Sequence, residues 1–204
     1  MTRSRSQKTH RLNDLAHKAR RTLGNTPDGT PYVPYFYGTD PYQINPHLQC
    51  DLERFTRHIQ TADESNDSEC LPHLQAALEI VEGPPFTARK GYGWAHSEGI
   101  STHTVVAIDN AAHRLAGLAL ATGEPELTTW AARKGLTASW ACEECYRNLM
   151  RAAITRHDQT ALEAVYSELN TLLEEEQGPD ATDWLEPETV DLYHQHRQQR
   201  RNAG

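Results

Sequence analysis

The spacing of apolar residues from Asp51 onward constrains the fold of this chain more than any other feature. Leu52, Phe55 and Ile59 share one helical face, and similar spacing recurs in the later segments. Glycine and proline separate the segments, for example at residues 123–125. Asp51 is placed to cap the first helix or to favour its dipole. Further helices are predicted near residues 71–81, 101–122, 125–136, 140–156, 159–177 and 186–200, which makes an all-α domain.

The helical part of the chain also repeats itself. A shift of about 34 residues places Ala119-Leu120 on Ala153-Ile154 and Trp130-Ala131 on Ala164-Val165. This period is typical of tetratricopeptide repeats, in which small residues let two helices approach closely and each pair stacks on the next. We therefore predict a tetratricopeptide-like array of antiparallel helix pairs over residues 49–204.

Charge divides the chain into a basic head and an acidic body. The net charge is -8, yet residues 1–24 hold seven Lys and Arg residues against Asp14 alone, which gives +6 there and -14 over the rest. An acidic surface repels phosphates, so any contact with nucleic acid is expected at the N-terminus. A basic head of this kind also occurs as a solvated tail.

Residues 1–48 are predicted to form a small first domain. Leu12, Leu15 and Leu23 follow helical spacing with a basic face opposite, and Gly24 is a natural end for this short helix. Turn signals then flank residues 32–33 and 42–44, which indicates a small, tyrosine-rich β-hairpin or an extended loop.

Several short motifs follow one another in the helical part of the chain. They are DLERF at 51–55, AALEIVEGPPF at 76–86, a glutamate at 143 or 144, LMRA at 149–152, HDQTAL at 157–162, YSEL at 166–169, LLEEE at 172–176 with Gly178-Pro179, and ETVDLY at 188–193. In this order they resemble the bacterial transcriptional activator domain of antibiotic-regulatory activators from actinobacteria. The resemblance covers residues 51 to about 196.

The resemblance also implies a role for the N-terminal residues, because in this family the helical domain follows a winged-helix DNA-binding domain. Residues 12–24 resemble its recognition helix, and residues 32–34 with 41–44 resemble its wing hairpin. Cations neutralise phosphates, and arginine reads guanine edges. The candidate DNA-binding residues are therefore Arg11, His17, Lys18, Arg20 and Arg21. A complete winged helix needs about 90 to 100 residues and only about 48 precede the array, so we expect a fragment or a truncated regulator without autonomous sequence-specific DNA binding.

The function implied by the resemblance is that of a non-catalytic effector or oligomerisation module of a bacterial transcriptional regulator. Its expected partners are another protein, a second copy of itself in a homodimer, and DNA through the basic head or a further domain. The alternative is a tetratricopeptide-like interaction scaffold with no role in DNA binding. An enzyme is not expected, because no paired-carboxylate site or nucleophile elbow stands out. The sequence shows no membrane span or secretory signal, so we expect a cytoplasmic protein. We also expect that it has no cofactor.

The motif C-E-E-C at 142–145 has three interpretations. On a helix that starts near Trp140, Cys142, Cys145 and Leu149 fall on one apolar stripe, which favours packing of both thiols in the core. A zinc site would need two further ligands, and the sequence offers no second motif of this kind. A redox pair would be expected at a helix N-terminus with low thiol pKa values. We predict core packing and no metal, with zinc and redox chemistry as the alternatives.

Overall fold

The computed structural model describes the backbone of residues 3–35, 44–87, 91–178 and 184–203, with side chains except at 3–11, 67–68 and 198–203. The chain forms two compact units, Met1–Cys50 and Asp51–Gly204. The prediction of an all-α protein is confirmed, because the regular structure is helical and the described residues contain no strand.

The first unit is built on α1 (Arg3–Leu23), which begins well before the predicted start at Leu12. The sequence pattern misses this extension because residues 3–11 contain no apolar residue that would mark a stripe. Gly24 ends the helix as predicted. Its φ of 71° lies in the left-handed region that favours glycine, and its N–H donates to the carbonyl of Arg20 at 2.9 Å.

The predicted β-hairpin is not found among the described residues of the first unit, and residues 41–43 of that prediction lie outside them. Asn25 and Pro31 form an isolated antiparallel bridge. A hydrogen bond from the N–H of Asn45 to the carbonyl of Tyr32, 2.9 Å long, links the two segments that were expected to pair. Proline at 31 has no N–H to donate, which limits a regular ladder at this point.

The second unit is an array of helices. They are α2 (Asp51–Glu64), α3 (Asp67–Glu79), α4 (Gly93–Ser97), α5 (Ile100–Ala121), α6 (Pro125–Ala138), α7 (Glu143–Thr155), α8 (Gln159–Gln177) and α9 (Pro187–Ala203). The sequence does not predict α4, because a helix this short shows no recognisable apolar period. No helix in the described part of the chain has both the length and the apolar character that a membrane crossing requires.

Consecutive helices of the array pack in pairs, α2 with α3, α5 with α6, and α7 with α8. The second helix of a pair also packs on the first helix of the next pair, as α6 does on α7. In addition α7 contacts both α5 and α9, so these three helices are neighbours along one side of the array. Stacked helix pairs produce this pattern of contacts, which is consistent with the predicted tetratricopeptide-like arrangement.

The core of the array combines many small residues with a few large ones. Leu115, Met150 and Leu162 are fully buried, and burial of one such side chain stabilises the fold by about 1.5 to 3 kcal/mol. Buried alanines lie between them and let α5, α6 and α7 approach closely. These alanines are Ala111, Ala112, Ala116, Ala119, Ala131, Ala132, Ala152 and Ala153.

Asp51 takes the second of the two roles predicted for it. Asp51 is the first residue of α2 rather than its cap, a position where its negative charge favours the helix dipole. A side-chain cap occurs at α8, where the carboxylate of Asp158 accepts a hydrogen bond from the N–H of Ala161 at 2.9 Å. The side chain of Asp158 thereby satisfies an N–H group that the helix itself leaves without a partner.

Candidate functional site

Three of the candidate DNA-binding residues lie together on α1. At 3.6 residues per turn of an α-helix, His17, Lys18 and Arg21 fall within a common arc of its surface, and all three side chains are exposed. Arg11 belongs to the same helix, but its side chain is not among those that the structure describes. The exposed arc gives the first unit a compact basic surface.

Arg20 is placed differently from the other candidates. Its Nε donates to the carbonyl of Val33 at 2.7 Å, and its Nη2 donates to the carbonyl of Pro34 at 2.8 Å. Its guanidinium also lies 4.3 Å from the ring centre of Tyr35, in a cation–π contact. These contacts join α1 to the loop that follows it, so two donor atoms of Arg20 are already used within the unit.

A second candidate site lies where α7 begins. Cys142 is the N-cap residue of α7, with φ −71° and ψ 91°, and Cys145 lies in the first turn. Their sulfur atoms are 2.9 Å apart. Cys145 is fully buried, as core packing predicts, whereas Cys142 is only partly buried. The predicted helix start near Trp140 is wrong, because α7 begins at Glu143 and places Cys142 at its N-terminus.

A residue without a side chain lets α6 approach this site closely. A Cβ atom at position 135 would lie 2.5 Å from Sγ of Cys145 and 2.9 Å from Cβ of Ala112. Both distances are too short for atoms that are not bonded, since protein interiors leave little space for an added carbon. Gly135 is therefore required for α5, α6 and α7 to meet around the sulfur of Cys145.

Asp109 of α5 lies next to the two cysteines. One carboxylate oxygen of Asp109 and the two sulfur atoms lie within 4.8 Å of one another. Oδ1 of Asp109 is buried and has no hydrogen-bond partner among the described residues. Burial raises the pKa of Asp109 from 3.8 to about 6, because the charged form is poorly solvated there. This carboxyl group therefore keeps its proton to a higher pH than an exposed aspartic acid does.

The two thiols differ in acidity. The hydrogen bond between the two thiols lowers the pKa of Cys142, although burial and the charge of Asp109 oppose this effect. The pKa of Cys145 is raised, because the hydrogen bond to Cys142 retains its proton and because the thiol is buried beside acidic groups. Cys142, the more exposed of the two, is therefore the thiol that ionises first.

Three donor atoms this close together resemble part of a zinc site, but their spacing does not fit one. A tetrahedral zinc ion holds thiolate sulfurs at about 2.3 Å, which places two of them about 3.7 Å apart. The sulfurs of Cys142 and Cys145 are closer than that, at 2.9 Å. Within the described part of the chain, no further histidine, cysteine or acidic residue joins the group. The geometry suits two thiols that share a proton better than it suits zinc.

A polar network extends from the same end of α7. Glu144 accepts hydrogen bonds from Nε of Arg147 and Nη1 of Arg151, each 2.7 Å long. Arg147 also forms an ion pair with Glu186 and donates to Oγ1 of Thr189 at 2.9 Å. Burial alone would raise the pKa of Glu144, but the hydrogen bonds and charges of the two arginines outweigh burial and lower it. The network therefore holds Glu144 in its charged form.

This network joins α7 to both of its neighbours along one side of the array. On the α5 side, Nδ1 of His113 lies 3.2 Å from Oε1 of Glu144. On the α9 side, Oε2 of Glu143 accepts hydrogen bonds from Oγ1 of Thr189 at 2.7 Å and from the N–H of Glu186 at 3.0 Å. The sequence analysis missed the network. Opposite charges three or four residues apart within α7 were a usable signal, whereas the links to other helices depend on the fold.

An open groove lies along α8 and α9. Tyr166 and Tyr193 line it, and their rings stack with centres 4.0 Å apart. The side-chain oxygen of Asn170 is buried there without a partner among the described residues. The other lining residues are Glu163, Ser167, Thr171, Glu174 and Arg197. The groove thus combines aromatic rings with polar and acidic groups.

The comparison with protein families finds one match. Residues 50–195 match the model of the bacterial transcriptional activator domain. The matched stretch covers more than two thirds of the chain, includes the cysteine pair and the polar network, and ends within α9. No curated protein and no solved structure matches the chain.

Proposed function

Because the chain belongs to the bacterial transcriptional activator domain family, we propose that it is a non-catalytic effector and oligomerisation module of a bacterial transcriptional regulator. The observation that carries this proposal is the family match over residues 50–195, which coincides with the helical array. In this role the array contacts a partner protein or a second copy of itself in a homodimer.

The charge of the array supports contacts with protein rather than with DNA. Residues 51–204 contain 13 Lys and Arg residues against 25 Asp and Glu residues. Such a surface repels phosphates and attracts basic segments of other proteins. The groove along α8 and α9 is the place we propose for this contact, because Glu163 and Glu174 lie beside the stacked rings of Tyr166 and Tyr193.

In the same proposal, α1 assists DNA binding. His17, Lys18 and Arg21 form the exposed basic arc that would contact phosphates. Arg20 would act by holding the following loop against α1, since its donors already contact the carbonyls of Val33 and Pro34. This arrangement accords with the proposal that the first unit is the remnant of a winged helix, with the loop after α1 in the place of the wing.

Electrophoretic mobility shifts over a range of salt concentrations test the role of α1. We expect a weak shift at low salt that fades as the salt concentration rises, because phosphate contacts release counterions. Arg21→Glu should weaken binding several-fold. Arg57→Glu changes the net charge equally at an exposed position of α2 and should have little effect. If low salt gives no shift, or if both variants weaken it equally, the interaction scaffold without a DNA-binding role becomes the better proposal.

Sedimentation velocity over a range of protein concentrations tests the oligomerisation part. We expect a dimer that forms as concentration rises. Thr171→Arg places a bulky cation in the groove and should weaken association, whereas Thr155→Arg changes an exposed residue of α7 and serves as the control. A chain that stays monomeric at all concentrations would contradict the homodimer and leave a different protein as the partner.

A further inference from the structure

We propose that Cys142 and Cys145 form a thiol–disulfide exchange site, which small disulfides of the glutathione-disulfide type oxidise to an intramolecular disulfide. The proposal goes beyond the role in transcription. It rests on the geometry at the start of α7, where a partly exposed N-cap sulfur lies 2.9 Å from a buried one and a carboxyl oxygen of Asp109 lies within 4.8 Å of both.

The distance between the sulfurs favours a bond between them. A disulfide bond is about 2.05 Å long, so the two sulfur atoms need to move together by only about 0.9 Å. A zinc ion would require them to move apart instead. The sulfur of Cys145 is also closely packed on the α6 side, since a Cβ atom at position 135 would lie 2.5 Å from it.

The position of Cys142 suits the attacking sulfur. The N-terminus of a helix carries partial positive charge, which favours a thiolate over a thiol. The hydrogen bond between the two thiols acts in the same direction and lowers the pKa of Cys142. Asp109 and Glu144 are the acidic groups whose charges oppose ionisation of Cys142. Cys142 is also more exposed than Cys145, so a small disulfide reaches it first.

In the first step, the thiolate of Cys142 attacks one sulfur of the small disulfide. A bond forms between Sγ of Cys142 and that sulfur, and the original bond between the two sulfurs of the small molecule breaks. The released half leaves as a thiolate and takes up the proton that Cys142 lost to water. The product is a mixed disulfide on Cys142.

In the second step, Cys145 passes its proton to the carboxylate of Asp109, directly or through one water molecule, and attacks Sγ of Cys142. The mixed disulfide breaks, a bond forms between the two cysteine sulfurs, and the second small thiolate leaves. That thiolate takes up a proton from water, and Asp109 returns its own proton to water. In total the two cysteines lose two electrons, and the small disulfide is reduced to two thiols.

Mass spectrometry of the full chain tests this reaction. The chain carries Cys50→Ser, which removes an exposed cysteine outside the site, and is incubated with glutathione disulfide. It is then denatured and alkylated with iodoacetamide. We expect the mass before alkylation to fall by two hydrogens, and we expect Cys142 and Cys145 to resist alkylation until dithiothreitol is added. Cys70 should be alkylated throughout and is the internal control.

Variants separate the two steps. Cys145→Ala should stop at the mixed disulfide, with a gain in mass of one glutathionyl group, and Cys145→Ser repeats this test if alanine disturbs the core. Asp109→Asn should allow the mixed disulfide to form but slow its closure about 10-fold or more, because the proton acceptor is lost. Asp191→Asn, at an exposed position of α9, should close at the wild-type rate. Circular dichroism checks that each variant is folded.

Three outcomes would overturn the proposal. The first is that the mixed disulfide persists in the chain that has both cysteines. The second is that both thiols still react with iodoacetamide after long incubation with glutathione disulfide. The third is a reduced chain that binds one zinc ion per molecule and loses it on Cys142→Ala, since the pair would then be a metal site. Closure of Asp109→Asn at the wild-type rate would exclude the proton transfer to Asp109.

Discussion

The helices α1 and α5 have nearly the same length, and apolar spacing predicts both, yet only α5 buries its apolar stripe. On α1, Leu12 is 47% exposed and Leu15 is 62% exposed. On α5, Ile108 is 3% exposed and Leu115 is completely buried. Apolar spacing therefore predicts a helix and the direction of its apolar face, but it does not tell whether the rest of the chain covers that face.

The difference follows from what each helix contacts within its own unit. α5 packs on α3, α6 and α7, which enclose its stripe. In the described part of the first unit, α1 meets the loop that Arg20 holds, and burial there is limited to a few residues such as Ala16 and Val33.

Truncating one leucine on α5 and one on α1 should give the largest difference in the free energy of unfolding. Leu115→Ala leaves a cavity among packed helices and should lower the free energy of unfolding by about 3 to 5 kcal/mol. Leu15→Ala removes an exposed side chain and should change it by less than about 0.5 kcal/mol. Urea unfolding measures both effects. Tryptophan fluorescence reports on the array, since all four tryptophans lie in residues 51–204, and far-ultraviolet circular dichroism also reports on the helix α1. Similar losses for the two variants would mean that the face of α1 is covered in solution.

A methyl group added where α6 packs against α5 should have the next largest effect on the free energy of unfolding. Gly135→Ala places Cβ 2.9 Å from Cβ of Ala112 on α5, which cannot move without its backbone, so we expect a loss of about 1 to 3 kcal/mol. Gly117→Ala is the matched control. Position 117 lies on α5 with open space around it, and this change should stabilise the array by up to about 1 kcal/mol. A stabilised Gly135→Ala variant would show that the contact between α5 and α6 is loose.

The helices of the array were predictable, because each one of more than a few residues shows its stripe in the sequence. Their arrangement in stacked pairs was predicted from the repeat of about 34 residues, in which Ala119-Leu120 corresponds to Ala153-Ile154. The N-terminal extension of α1 was not predictable in this way. Residues 3–11 carry no apolar residue, so no stripe marks them.

The site at the start of α7 was only half predictable. The C-E-E-C motif is visible in the sequence, and the burial of Cys145 follows from its helical stripe. The position of Cys142 depends on where α7 begins, which apolar spacing fixes only to within a few residues. The approach of Asp109 depends on how α5 packs on α7, and no pattern along the chain records it.

The partly buried carboxyl group of Asp109 on α5 should make the free energy of unfolding depend on pH. Asp109 has a folded pKa raised from 3.8 to about 6, so the folded state keeps a proton that the unfolded state releases. The contribution of this group to the free energy of unfolding is fully present below about pH 4. It is lost as the pH rises through about 6. After allowance for solvent screening of a half-buried group, we expect the loss to be about 1 kcal/mol.

Asp109→Asn should remove this loss, and Asp14→Asn, at an exposed position of α1, should leave it unchanged. Urea unfolding of the reduced chain at several pH values between 4 and 7 measures the effect. Glu144 has a lowered pKa and contributes in the opposite direction, with stability that is lost as the pH falls. The difference between the parent chain and Asp109→Asn isolates the aspartate. Parallel curves for these two proteins would contradict the burial of Asp109.

Removing one arginine from α5 and one from α1 should give the smallest difference in the free energy of unfolding. Nη1 of Arg114 on α5 donates to Oδ1 of Asp63 at 2.7 Å, and its Nη2 donates to the carbonyl of Ala62 at 3.0 Å. These contacts lie in the last turn of α2, where a cation also favours the helix dipole. The pair with Asp63 is well exposed, so Arg114→Ala should cost only about 0.5 to 1 kcal/mol. Arg21→Ala on α1 should cost less than about 0.5 kcal/mol.

Salt separates the two contributions of Arg114. Sodium chloride at about 1 M screens the exposed ion pair with Asp63 and should remove part of the cost, whereas the hydrogen bond to the partly buried carbonyl of Ala62 should keep the rest. Lys134→Ala offers an independent check, because its Nζ donates to the carbonyl of Val81 at 2.8 Å without an acidic partner in the described part of the chain. Its cost should change little with salt. If the cost of Arg114→Ala disappears entirely at high salt, the hydrogen bond contributes nothing, and the side of α5 that faces α2 is held by apolar contacts alone.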